Sequence, residues 1–94
     1  MVDPTKSNPT EHQLKRKQLI EIIASCPLYK KSEKAPDTFT ATHIEDATRV
    51  TIQVAKNKVR IWKVNYEKKP APFITDIDLE KFAHFVYNLA GAKL

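Results

Sequence analysis

Glycine and cysteine are nearly missing from this 94-residue chain, which has one residue of each type, Gly91 and Cys26. With so little glycine, the chain has none of the glycine-rich loops that cradle phosphates in nucleotide-binding enzymes. With one cysteine, it can form neither an internal disulfide nor a zinc site of several cysteines, a usage typical of a reducing compartment. These absences favour an intracellular protein without a nucleotide cofactor.

Long hydrophobic runs are also lacking. No stretch approaches the length of a membrane span, and the N-terminus lacks the apolar core of a signal peptide. We therefore expect a cytoplasmic protein without a membrane partner, with the nucleus as an open alternative.

Groups of residues that could carry out catalysis or hold a metal ion are sparse as well. His12, His43 and His84 lie far apart and show no metal-binding spacing, and no serine nucleophile motif is present. Cys26, next to Pro27, is better explained as a small buried residue than as a nucleophile. We expect a protein that is not an enzyme and has no metal site, cofactor or small-molecule substrate.

What the chain does have is an excess of basic residues, 16 Lys and Arg against 11 Asp and Glu, for a net charge of +5. Residues 1–36 and residues 37–70 each have seven basic and four acidic residues, whereas residues 71–94 have two and three. The first two segments would therefore face a polyanion, although modest basicity also serves solubility alone.

The first helix is predicted to begin at Pro9 or Glu11 and to end at Ser25, before a proline. Its buried stripe consists of residues at three- and four-residue spacing: Leu19, Ile22, Ile23 and Cys26. The basic residues 15–17 cannot all lie on that stripe. They form either a solvated surface or a contact to phosphate groups, which require only charge and reach.

β-Structure is predicted in the middle of the chain. Residues 38–45 alternate in polarity and form a first strand, and residues 49–66 form a hairpin in which two β-rich runs flank Lys56-Asn57-Lys58. After a basic, proline-containing loop at residues 67–72, Phe73 either starts a further short strand or packs into the core.

The last helix is predicted to have Thr75 or Asp76 as its N-cap and to end before Gly91, which adopts the left-handed conformation at low cost. The elements predict an α+β fold in the order helix, three- or four-stranded antiparallel sheet, helix (α-β-β-β-α), with both helices packed on one sheet face. We expect residues 10–94 to form a single domain after a disordered tail at residues 1–9.

The face of the sheet that the helices leave open has the most informative composition. Strand side chains alternate sides, so turning the valines and isoleucines inward brings cations and aromatic rings together on the outer face. This combination suits a nucleic-acid strand. The predicted nucleic-acid-binding residues, from the hairpin and the loop after it, are Arg49, Gln53, Lys56, Lys58, Arg60, Trp62, Lys63, Tyr66, Lys68 and Lys69.

We therefore predict a small, basic, non-enzymatic protein that binds RNA or single-stranded DNA through its exposed sheet face. Arg49, Arg60 and Lys63 would contact phosphates, while Trp62 and Tyr66 would stack on bases. Strict alternation nevertheless places Lys63 on the core face unless the strand contains a bulge.

Two other interpretations remain open. The same face could dock a protein partner through Trp62, Val64 and Tyr66, which would make the protein an inhibitor or an assembly subunit. Alternatively, the chain could be a structural homodimer with no further ligand. A homodimer or heterodimer that covers part of the sheet is also compatible with nucleic-acid binding.

The element order over residues 10–90 resembles that of the small Alu-domain proteins of the signal recognition particle. The run Asp78-Leu79-Glu80-Lys81-Phe82, followed by Tyr87 and Leu89, is similar to their last helix. This resemblance implies RNA binding through a basic sheet surface. Residues 48–90 are also similar to the single-strand-binding domain of a transcriptional positive cofactor, which implies nucleic acid on a sheet and dimerisation through the helix.

Overall fold

The computed structural model describes residues 11–64 and 66–92. The disordered tail predicted for residues 1–9 lies outside the described residues.

Two helices and five strands follow one another in the described part of the chain. They are α1 (Glu11–Ser25), β1 (Lys30–Lys31), β2 (Thr38–Thr42), β3 (Arg49–Val54), β4 (Val59–Lys63), β5 (Tyr66–Glu67), a 3₁₀ turn (Ile74–Asp76) and α2 (Leu79–Leu89). The strands form one antiparallel sheet in the order β1-β2-β3-β4-β5. The predicted α+β class is confirmed, but the sheet has five strands instead of three or four. The additional strands, β1 and β5, are two residues long and too short to show alternating polarity.

The hydrophobic core lies between the sheet and both helices. Alternate residues of the three central strands are buried, and Ile52 of β3 pairs with Phe39 of β2 and with Ile61 of β4. The buried helix residues in the same cluster are Leu19, Ile23, Phe82 and Val86. Fully burying one such side chain stabilises a fold by about 1.5–3 kcal/mol. Both helices therefore pack against this face of the sheet.

Arg16 anchors α1 to the end of β3. Its Nε donates to the carbonyl oxygen of Ala55 at 3.1 Å, and one terminal nitrogen donates to that of Val54 at 2.9 Å. The same guanidinium lies 3.8 Å from the carboxylate of Asp37. Of the basic residues 15–17, one is thus part of the fold and is not free to contact a phosphate.

Tyr29 connects the loop after α1 to the end of α2. Its ring is buried, and its hydroxyl donates to the carbonyl oxygen of Val86 at 2.8 Å. Carbonyls in the last turn of a helix lack a partner within the helix, so this bond satisfies one of them. Burial of the ring, with a further contribution from the neighbouring Cys26, raises the pKa of the Tyr29 hydroxyl well above its ordinary value.

The two ends of α2 are stabilised differently. Asp78, and not Thr75 or Asp76 as predicted, is the N-cap, and its side chain accepts from the backbone N–H of Lys81 at 3.0 Å. At the C-terminal end, Gly91 has a φ of +83°, as its predicted role requires. A Cβ at this position would lie 2.7 Å from Cε1 of His43, so the ring and the glycine pack directly against each other.

Candidate nucleic-acid interface

The sheet face that points away from both helices is defined by the strand register, and we refer to it as the open face. From β1 to β5 it consists of Lys30, Thr38, Thr40, Thr42, Arg49, Thr51, Gln53, Arg60, Trp62 and Glu67. These side chains are exposed or partly exposed. Threonines dominate β2, the arginines lie on β3 and β4, and the two edge strands contribute Lys30 and Glu67.

Arg60 and Trp62 form a cation–π pair near the centre of this face. The two residues point to the same side of β4, and the guanidinium carbon of Arg60 lies 4.7 Å from the centroid of the Trp62 ring. A cation over an indole ring is worth about 0.5–1 kcal/mol at an exposed site. The pair thus brings a guanidinium group and an indole ring together on the open face.

Glu67 holds this pair in place. It lies opposite Trp62 across β4 and β5, and its carboxylate accepts from Nε of Arg60 at 2.9 Å. The hydrogen bond from Arg60 lowers the pKa of Glu67, and the positive charges of Arg60, Lys69 and Lys58 lower it further. The carboxylate is therefore ionised at neutral pH and has its charge balanced within the face.

Beside β4 the open face continues into a groove, which we call the edge groove. Lys58 and Phe73 form an antiparallel bridge there, so their side chains point to the same side as Arg60. The groove has a volume of about 680 Å³, and its lining includes Lys58, Arg60, Glu67, Lys69, Pro70 and Phe73. Phe73 is 58 % exposed, an unusual position for a large apolar ring.

Six of the ten predicted residues are brought together on the open face and the edge groove. These are Arg49, Gln53, Lys58, Arg60, Trp62 and Lys69. The other four lie elsewhere, and the physical reason differs from one to the next.

The prediction that Tyr66 shares a face with Trp62 is wrong. The chain turns at Val64, which has a φ of +59°, and the register then places Tyr66 opposite Lys63. Lys63 in turn lies opposite Val50, so both Lys63 and Tyr66 belong to the helix side of the sheet. The strict alternation noted for Lys63 therefore holds, because β4 ends without a bulge before the turn.

Lys56 and Lys68 also point away from the open face or lie beyond it. Lys68 Nζ lies 5.2 Å from the centroid of the Phe85 ring on α2, so it faces the helices. Lys56 is at the hairpin tip next to the start of α1, where its carbonyl oxygen is 2.6 Å from Nε2 of His12.

Phe73 is the main residue that the sequence-based prediction missed. Of its two expected positions, the bridge to Lys58 agrees with the short strand, whereas the core position is wrong, because the neighbouring Ile74 is buried there. The strand threonines and Lys30 were also missed. The threonines could have been identified from the alternation in Thr38–Thr42, whose inward residues are Phe39 and Ala41.

The side chains of His43 and Cys26, which are chemically reactive, take part in holding the fold together. Nδ1 of His43 accepts from the backbone N–H groups of Glu45 and Asp46, and Cys26 is buried in the core. Residues 11–64 and 66–92 contain no group of three or more His, Cys, Asp or Glu side chains that could hold a metal ion. Within the same residues, neither helix has the length and apolar character needed to cross a membrane.

The chain was compared with known protein families, curated proteins and solved structures. No family model, curated protein or solved structure matches the chain.

Proposed function

We propose that this protein binds single-stranded RNA or DNA on the open face of its sheet and catalyses no reaction. The observation that carries the proposal is the Arg60–Trp62 pair, held by Glu67 at the centre of a cationic face. Bases stack on aromatic and guanidinium planes irrespective of sequence, with a typical contribution of about 1–3 kcal/mol per base. The proposed binding therefore depends on stacking and charge, with little base readout.

The distribution of charge supports a polyanion as the ligand. Among the described residues, the open face and the edge groove contain five cations, Lys30, Arg49, Lys58, Arg60 and Lys69, and one carboxylate. That carboxylate, Glu67, is already bound by Arg60. Arg49, Lys58 and Lys69 are exposed, and no ion pair of theirs is among those found in the described residues.

The proposal predicts how steeply the binding affinity falls as the salt concentration rises. If about three phosphates are neutralised on a single strand, the logarithm of the binding constant falls with a slope near −2 against the logarithm of salt concentration. A rise from about 50 to about 200 mM salt should then weaken binding roughly twentyfold.

The test is fluorescence anisotropy with labelled RNA and DNA strands of about eight nucleotides, single-stranded and double-stranded, at these two salt concentrations. We expect the single strands to bind. The Trp62→Ala substitution should lower the affinity for them at least fivefold. Tyr66→Ala is the matched control, because Tyr66 is an exposed ring on the opposite side of the sheet. Absence of single-strand binding at low salt, or equal effects of the two variants, would contradict the proposal.

A second candidate function uses a different surface. Val64 and Tyr66, at the turn between β4 and β5, are 59 % and 69 % exposed, which suits a protein partner or a second copy of the chain. Binding would then depend weakly on salt, and Tyr66→Ala would reduce it more than Arg49→Gln. Light scattering at several protein concentrations separates self-association from binding to another protein.

A further inference from the structure

We propose that the edge groove is a second base-stacking subsite, with Phe73 as its aromatic platform, and that the bound single strand runs along β4. This inference rests on the proposed function. It replaces the predicted stacking role of Tyr66 with a role for Phe73, since the register removes Tyr66 from this side of the sheet.

The position of Phe73 is the first argument. Its bridge to Lys58 directs the ring to the same side as Arg60 and Trp62, while the adjacent Ile74 carries the hydrophobic anchoring of this segment. Phe73 is therefore largely exposed, at 58 % of its full accessibility, and is not part of the buried core. An exposed ring beside cations has the character of a stacking platform for bases.

The charges around the ring are the second argument. Lys58 and Lys69 are exposed and line the groove together with Phe73. Both cations line the groove with Glu67, and their charges help to lower the pKa of that carboxyl. Because Arg60 already binds that carboxylate, the two lysines are the groups able to hold a phosphate.

Spacing is the third argument. Lys58, which immediately precedes β4, is four residues from Trp62, so the two stacking positions are separated by about 13 Å along the strand direction. At the spacing of about 3.4 Å per nucleotide that one strand has in a duplex, roughly four nucleotides connect the two positions. One strand can thus contact both platforms while its phosphates pass Lys58 and Lys69.

The experiment moves the only tryptophan of the chain to the proposed subsite. The double variant Trp62→Phe with Phe73→Trp is titrated with oligothymidylate of about eight nucleotides, and tryptophan fluorescence is recorded. We expect quenching at saturation, because the indole at position 73 stacks on a base. The matched control, Trp62→Phe with Tyr66→Trp, should show little quenching while binding the same strand, as measured by anisotropy.

Affinity measurements complete the test. Phe73→Ala should lower the affinity for the eight-nucleotide strand about fivefold to a hundredfold. The affinity for a dinucleotide should change much less. Lys58→Gln with Lys69→Gln should reduce the slope of the salt dependence by about 1.4, whereas Lys17→Gln with Lys81→Gln, on the helices, should leave it unchanged.

The outcomes separate the two proposals. One outcome overturns only the second subsite. In that outcome the wild-type protein binds the single strand and Trp62→Ala lowers its affinity. The tryptophan at position 73 is nevertheless not quenched, and Phe73→Ala has the same affinity as Tyr66→Ala. If the wild-type protein binds no single strand, the proposed function fails and the subsite fails with it.

Discussion

Replacing Arg16 by Gln removes the hydrogen bonds that connect α1 to the end of β3. Glutamine is itself a good helix former, so the substitution should not disturb the helix. The variant loses two hydrogen bonds from a charged donor, to the carbonyl oxygens of Val54 and Ala55, at 2.9 and 3.1 Å. Such bonds contribute about 1.5–3 kcal/mol when buried. Because the Arg16 side chain is 34 % exposed, water can partly replace it, and we expect a total loss of about 1–2 kcal/mol.

Urea and thermal unfolding, followed by far-UV circular dichroism, measure this loss. For a chain of this size it should lower the melting temperature by roughly 5–15 °C. Lys17→Gln is the matched control, since it removes the same charge one residue away on the exposed side of α1 and should cost less than about 0.5 kcal/mol. Equal melting temperatures for the two variants would refute the structural role of Arg16. A selective loss of oligonucleotide affinity in Arg16→Gln, with unchanged stability, would instead assign it to phosphate binding.

Three further predictions concern stability. Tyr29→Phe should lower the free energy of unfolding by about 1–2 kcal/mol in urea titrations, because the buried carbonyl of Val86 loses its partner; an unchanged value would mean that water replaces the hydroxyl. Gly91→Ala should cost about 1–2 kcal/mol for the left-handed backbone alone, and more if the His43 ring must move, as a shifted His43 NMR signal would show. Two carboxyl groups have pKa values below those of the unfolded chain. The pKa of Glu67 is lowered chiefly by its hydrogen bond from Arg60, and that of Asp78 chiefly by the backbone N–H of Lys81. Their stabilisation is therefore present above the unfolded pKa and is lost as the pH falls through the folded one. The melting temperature should fall below about pH 4, and less steeply in Glu67→Gln with Asp78→Asn; parallel curves would contradict this.

The central hairpin could be predicted from the sequence because its signal is strong and local. Alternation over Arg49–Val54 places three β-branched residues inward, and the register confirms this side for all of them. The buried stripe of α1 and the left-handed Gly91 follow equally simple rules. Each of these features depends on residues a few positions apart.

The errors arise where distant parts of the chain decide the outcome. A positive φ at the β-branched Val64 contradicts local preference, and this turn moves Tyr66 to the other face. Phe73 is exposed because its bridge to Lys58 and the burial of Ile74 fix the local register. The hydrogen bonds of Arg16 join residues 38 and 39 positions apart, which no local pattern reveals.

The brevity of the two outermost strands has a consequence for colloidal behaviour. Exposed sheet borders are templates on which another chain can add a strand and begin a fibril. Here one border is a pair of lysines and the other a two-residue segment that soon reaches Pro70. A second copy of this basic chain would therefore meet two lysines at one border and a proline close to the other. A chain so built can leave a broad sheet surface uncovered for a ligand and still resist fibrillar self-assembly.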